Sequence, residues 1–256
     1  MMPILSANAL SLSINGKDVC NGLDWAVNSG EVWGVLGVNG VGKSTLLHAL
    51  SGLYPVDSGE LGLSGELIDQ MRRREVARMV GLLFQHQDDI FPTTVEEMVR
   101  MGRHPHTSLL RGEQTEDLDI VQQIMVQMGL SGMEGRLVDT LSGGERRRVA
   151  IATLLAQQPK LYLLDEPEAH LDPRYQQEIL THVVQETAER RAALVMVLHD
   201  INLAIHHCTH LLMLMGDGIV EQGDVETMIS TDRVGRLYGT EMTRIEEGGR
   251  IAYLPC

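Results

Sequence analysis

Several things are scarce in this chain. Of its 256 residues only three are cysteines, Cys20, Cys208 and Cys256. They have no C-x-x-C spacing and cannot all pair, which predicts a reducing compartment, the cytoplasm. Basic residues are in deficit: 21 Lys and Arg against 35 Asp and Glu give a formal charge of −14. That balance argues against a nucleic-acid-coating surface and against an unaided grip on anionic lipid, since both reward an excess of Lys and Arg. The basic triplets Arg72-Arg73-Arg74 and Arg146-Arg147-Arg148 are short and isolated, and they are expected to be solvated helix faces. No apolar run approaches the ~18 residues of a membrane helix, and the N-terminus lacks a charged segment followed by a long apolar core. If the protein works at a membrane, another chain must do the spanning. Internal repeats and low-complexity tracts are absent as well.

What is present is concentrated in a few short motifs. Gly37-Val38-Asn39-Gly40-Val41-Gly42-Lys43-Ser44-Thr45 meets G-x-x-x-x-G-K-[ST] at every fixed position. The apolar run Val32–Leu36 before it reads as a buried strand. Lys43 to Leu50 after it reads as a helix with Leu46, Leu47 and Leu50 on one face. Strand, glycine loop and helix form the context a phosphate cradle needs. Glycines let backbone N–H groups close around phosphate oxygens, and the helix N-terminus favours anions. Lys43 then reaches the β- and γ-phosphates, and the Ser44 hydroxyl takes a Mg²⁺ position.

Around this loop the chain divides by pattern. Ile4 to Ser29 alternates apolar and polar residues about Asn15-Gly16, the signal of a β-hairpin. From Met71 the pattern turns helical, Gly81–Phe84 reads as a short buried strand ending at Gln85, and a break follows at Phe91-Pro92-Thr93. Helical periodicity dominates from about 94 to 158. Strands and helices then alternate as in a parallel sheet. Asp217-Gly218 signals a second hairpin. The resulting expectation is one domain over 1–256, with an α/β core and β subdomain at about 1–93 and 159–256 and an inserted helical subdomain at about 94–158.

Two further motifs carry chemistry. Leu161-Tyr-Leu-Leu-Asp165-Glu166 is an apolar strand ending in two carboxylates. Asp165 is predicted to serve Mg²⁺ and Glu166 a water attacking the γ-phosphate. Leu141-Ser142-Gly143-Gly144-Glu145 is an S-x-x-E capping box opening a helix, whose glycines also expose N–H groups to an anion.

In order and spacing these residues resemble the nucleotide-binding subunits of ABC transporters, over essentially the whole chain. The loop is similar to Walker A, Leu141–Glu145 to the LSGGQ signature with Glu145 where Gln is usual, and Leu161–Glu166 to Walker B. Gln85 falls at the Q-loop, Leu171-Asp172 at the D-loop and His199 at the switch histidine. The resemblance implies a P-loop NTPase cassette: an α/β fold with a mixed core sheet, an N-terminal antiparallel β subdomain and an inserted α-helical subdomain. It also implies a head-to-tail homodimer with two ATP molecules, each between Walker A of one subunit and Ser142, Gly143, Gly144 and Glu145 of the other. On that pattern residues 37–45 bind ATP, with Lys43 also catalytic. Ser44, Gln85 and Asp165 serve Mg²⁺, Glu166 polarises water and His199 senses the γ-phosphate.

Departures from the pattern are local. Ile14 stands where an aromatic residue often stacks on adenine, Val38 replaces a common proline, Glu168 stands where Thr is frequent, and His170 precedes Leu171-Asp172. His206 and His210, four apart, could share a helix face as metal ligands, but a polar helix end is the expected reading. The stretch Thr94–His106, with Gly102-Arg-His-Pro-His106, is similar to a region in ATPases that import ferric siderophores, haem and vitamin B12, and such residues are expected at the contact with the membrane subunit. The resemblance therefore implies polytopic permease subunits as partners, a solute-binding protein indirectly, no nucleic acid, and a peripheral place on the inner face of the cell membrane. An exporter ATPase and a soluble non-transport ABC ATPase are the alternatives.

Overall fold

A computed structural model describes residues 2–85, 92–107, 115–169 and 171–256. Phe91 of the predicted break and His170 lie outside the described residues. The elements run β1 (Leu5–Ile14), β2 (Lys17–Val27), β3 (Val32–Gly37), α1 (Lys43–Leu50), β4 (Ser58–Leu63), β5 (Glu66–Leu67), α2 (Arg73–Met79) and β6 (Val80–Leu83). Helices α3 (Val95–Met101), α4 (Thr115–Gln127) and α5 (Gly143–Gln157) follow. Then come β7 (Leu161–Asp165), α6 (Pro173–Glu189), β8 (Ala193–Val197), α7 (Ile201–His207), β9 (His210–Gly216) and β10 (Ile219–Asp224). The chain closes with α8 (Val225–Met228), α9 (Thr231–Tyr238), β11 (Met242–Glu247) and β12 (Arg250–Pro255).

The opening hairpin forms as its sequence predicts. Asn15 and Gly16 both take positive φ, 51° and 76°, the mirror-image turn that matches strand twist. With β4 and β5 this hairpin makes a sheet in the order β2-β1-β4-β5. The larger sheet runs β10-β9-β3-β8-β7-β6. Four of its five pairings are parallel, and at the edge β10 pairs antiparallel with β9. Every residue of β3, β7 and β8 is buried, as strands covered on both faces require. Alternation sends Val35, Leu163 and Val195 to a core shared with β1, β2 and α1. It sends Leu36, Leu164 and Met196 to a core shared with α5, α6 and α7. The turn at Asp217-Gly218 laces the two sheets together: Asn21 N–H donates to the Gly218 carbonyl at 3.0 Å and Gly218 N–H to Asp18 at 3.1 Å.

Helices α3, α4 and α5 pack on one another. Thr94 and Glu97 cap α3 reciprocally, and Gly102 lets the end of α3 approach α5, where a Cβ would lie 2.1 Å from the Thr153 carbonyl. Part of the stretch Gly102–His106 folds inward. Arg103 is buried and turns inward, its Nε 2.8 Å from Asp117 Oδ1 and its Nη1 2.9 Å from the Ala156 carbonyl. The His106 ring bonds the Gln157 carbonyl, and the Pro105 carbonyl accepts from Arg74 and Arg78. These residues hold the helical layer to α2 and α5, and within Thr94–His106 it is Glu97, Met101 and His104 that are exposed. The first basic triplet is exposed as expected, with Arg73 and Arg74 also donating to the carbonyls of Gly52 and Pro105. Among the described residues no helix is long and apolar enough to cross a membrane.

Candidate active site

Because β3, β6, β7 and β8 are parallel, their C-terminal ends meet at one edge of the sheet, the usual place for a ligand crevice in such folds. A cavity of about 670 Å³ opens there, lined by Asn39, Gly40, Gly42, Lys43, Ser44, Thr45, Gln85, Glu166 and His199, with Ile14, Asn15 and Lys17 on one side. Motifs separated by more than 150 residues therefore share one wall. The phosphate loop turns on Gly42, at φ 108°, where a Cβ would lie 2.4 Å from Val19 Cγ2. Only glycine fits that conformation in that space. The turn delivers Lys43 as the first residue of α1.

Lys43 is buried, and its ammonium donates to the carbonyls of Gly37 at 2.8 Å and Val38 at 3.2 Å. Burial lowers its pKa, opposed by the carboxylates of Glu166, Asp165 and Glu168. Val38 and Val41 are not among the cavity walls, and Gly37 contributes its carbonyl to Lys43.

Asp165 ends β7 beneath the cavity at 1% exposure. Burial pushes its carboxyl above the usual range, against a hydrogen bond from the Ser44 side chain. Its Oδ1 finds no donor among the described residues. A buried carboxylate oxygen with an open lone pair beside a hydroxyl is a hard-oxygen pair of the kind Mg²⁺ takes while keeping water and substrate phosphates as its other ligands. Ser44 and Asp165 thus fit the ion. The described residues hold no group of three His, Cys, Asp or Glu able to bind a metal. His206 and His210 in particular separate: His206 is exposed on α7, whereas His210 opens β9, stacks on Trp33 and sits 3.2 Å from Asp224.

Glu166 follows with φ 48°, a left-handed conformation that is uncommon outside glycine and frequent at functional sites. Its two oxygens are held separately. Gln85 Nε2 donates to Oε2 at 2.7 Å, and His199 Nε2 lies 2.5 Å from Oε1. Gln85, expected at the metal, grips this carboxylate in the structure. Behind it, buried Glu168 accepts the His199 backbone N–H at 3.3 Å, and burial raises its pKa.

Ser142, Gly143, Gly144 and Glu145 are not walls of this cavity. They start α5, where Ser142 and Glu145 close the predicted capping box, Glu145 Oε2 accepting from Ser142 N–H and Oγ at 2.8 Å each. Glu145 Oε1 also lies 3.2 Å from Arg136. One residue of this helix escaped the sequence reading. Arg147, expected on a solvated face, is buried against the ends of β6 and β7. The signal was there in the spacing, since stepping back four from Ile151 in the apolar stripe reaches Arg147.

Residues 20–169 match the ABC transporter family profile. The chain belongs to the ABC transporter family. Within it the chain is similar to ATP-binding subunits. It is 36% identical over 243 residues to the ferric enterobactin transport ATP-binding protein FepC of Escherichia coli, covering 95% of this chain and 90% of that protein. It is also 36% identical over 242 residues to YvrA of Bacillus subtilis, an uncharacterized ABC transporter ATP-binding protein, covering 94% of this chain; the chain spans 55% of YvrA's length. Among solved structures, a metal-chelate type ABC transporter in an inward-facing conformation matches with a TM-score of 0.85 over 99% of this chain and 98% of that one. At 23% identity, that likeness speaks for the ABC cassette fold alone.

Proposed function

We propose that this ABC subunit hydrolyses ATP with Mg²⁺ and powers import of a metal chelate, a ferric siderophore or haem, or of vitamin B12, through separate polytopic membrane subunits. The observation that carries the ATPase reading is Glu166, suspended between Gln85 and His199 beside the phosphate loop. Residues 37–45 cradle the phosphates, with Lys43 on the β- and γ-oxygens. Bound with ATP at Ser44 and Asp165, Mg²⁺ would neutralise charge across the phosphates, and Gln85 would turn toward it from Glu166. Glu166 accepts the proton of the attacking water, and His199 holds that carboxylate and meets the γ-phosphate. The import class rests on the relatives' transport names and on the Thr94–His106 stretch.

The site takes its other half from a second copy. Ser142 and Gly143 are exposed at the start of a 15-residue helix, away from the cavity of their own chain. In a head-to-tail homodimer, Ser142, Gly143, Gly144 and Glu145 would close over the partner's ATP, supplying N–H groups and a helix N-terminus to its γ-phosphate. Closure would draw the membrane subunits together, and a swing from 1:99 to 99:1 needs ATP to favour the closed state by ~5.5 kcal/mol. Residues of about 94–158 act as the helical arm in that motion. The subunit sits peripherally on the cytoplasmic face of the membrane, indirectly served by a solute-binding protein, and nucleic acid is not a partner. The test is ATPase activity measured alone and with the permease subunits encoded beside it, in membranes containing the solute-binding protein loaded with ferric siderophore. Stimulation and co-purification are the expected results. Turnover indifferent to any permease would overturn the transport reading.

A further inference from the structure

We infer that Arg147 is a positioning residue, the link through which the start of α5 sets the Glu166 turn and its neighbour Gln85. This rests on the reading of Glu166 as the carboxylate that polarises water. Arg147 is the fifth residue of α5 and is 8% exposed. Its guanidinium makes no ion pair among the described contacts and is spent on backbone carbonyls. Nη1 donates to Phe84 at 2.7 Å, Nη2 to Asp165 at 2.7 Å and to Glu166 at 2.5 Å, and Nε to Pro167 at 3.3 Å. Burial lowers its pKa, opposed by the nearby carboxylates of Glu168, Asp165 and Glu166.

Two strand ends thus hang on one planar fork, a geometry that a point-like ammonium does not reproduce. The Phe84 carbonyl belongs to the residue before Gln85, whose amide grips Glu166. The Glu166 carbonyl belongs to the left-handed residue itself, a conformation that persists only where its surroundings over-determine it. Val197 accepts the Glu166 N–H at 3.2 Å and Ala169 donates to its carbonyl at 3.1 Å, and Arg147 completes the frame from the helix side. The same helix begins at Ser142, so a shift of that end on meeting a partner's nucleotide is carried in little more than one turn to the carboxylate of its own site.

The experiment compares Arg147→Gln and Arg147→Lys with the parent and with Glu166→Gln, measuring kcat, KM and the Kd for a fluorescent ATP analogue with Mg²⁺. Small misplacement of a catalytic group costs up to about a hundredfold. Arg147→Gln should lose about tenfold or more in kcat with Kd within about threefold of the parent, and Arg147→Lys should recover part of that rate. If Arg147→Gln does not fold, Arg147→Lys carries the test through a smaller fall in kcat at unchanged Kd. Parent-like kcat in either folded variant, or losses of kcat and nucleotide binding in equal proportion, would overturn the inference. Glu166→Gln turning over at the parent rate would instead remove the reading on which it rests.

Discussion

His199 Nε2 stands 2.5 Å from Glu166 Oε1, bridging the ends of two strands, β7 and β8, that are adjacent in the sheet but separated in the chain by α6. The contact fixes one carboxylate oxygen while Gln85 fixes the other, so the orientation of Glu166 depends on both partners. His199→Ala should lower ATP turnover about 10–100-fold, and Glu166→Gln about 10²–10⁴-fold, the range for removing a general base. The double variant should be little slower than Glu166→Gln alone, because groups that act as a unit are not additive. Phosphate release in steady state reads the rates. Glu166→Gln should also elute as an ATP-dependent dimer in size-exclusion chromatography, and a monomer under saturating Mg²⁺ and ATP would contradict the two-copy site.

The Asp165 carboxylate sets function against stability. Its pKa is raised by burial, so the folded state holds a proton that the unfolded state has released once pH climbs past the ordinary carboxylate value of 3.8. Stability therefore falls as pH rises from there through the folded pKa, and below 3.8, where both states are protonated, no penalty remains. Asp165→Asn should raise the Tm of the nucleotide-free protein at pH 7.5 by about 2–6 °C, the scale of relieving a buried unpaired acceptor at about 1–2 kcal/mol. Its advantage should shrink as pH is lowered toward 4. Mg²⁺-dependent turnover should be lost. A thermal-shift series across pH checks the sign, and an advantage growing toward acid pH would refute the assignment.

Arg103 and Asp117 form a buried pair in the helical layer, each less than one-tenth exposed. Removing one partner leaves a charge stranded, at a cost of about 3–5 kcal/mol. Arg103→Met should therefore shift the urea midpoint strongly downward, and Arg103→Met with Asp117→Leu should recover most of the loss. Equal destabilisation by single and double variants would show that the ion pair is not the cause.

Much of this architecture is written in local pattern. Asn15-Gly16 and Asp217-Gly218 specify their turns because two successive positive φ values are open to few residue pairs. Ser142 and Glu145 announce a helix start because the cap is made within four residues. That Lys43, Ser44, Asp165 and Glu166 gather at one place is legible for a related reason: the motifs that suggest phosphate and a hard cation restrict the residue types severely. Contacts across the sheet are another matter. Nothing in the spacing of Gln85, Glu166 and His199 states that the amide would bond the carboxylate, since that depends on strand order β8-β7-β6. Arg103 and Arg147 read as surface residues by charge, and their burial is made tolerable by Asp117 and the Ala156 carbonyl for the one and by the carbonyls of Phe84, Asp165, Glu166 and Pro167 for the other.

The lacing of the two hairpins reaches further than the joining of two sheets. Asp18 and Asn21, bonded to Gly218, flank Val19, whose methyls press on the space at Gly42, and the same hairpin turns beside Ile14 and Lys17. The Ile14–Lys17 wall of the cavity and the residue that packs on the phosphate loop are thus parts of one hairpin, braced from the far edge of the large sheet. Their separation is a fixed gauge. On the proposed function a nucleotide would be measured along its length as it enters, and the chain length of its phosphates would decide whether its last one arrives beside Glu166.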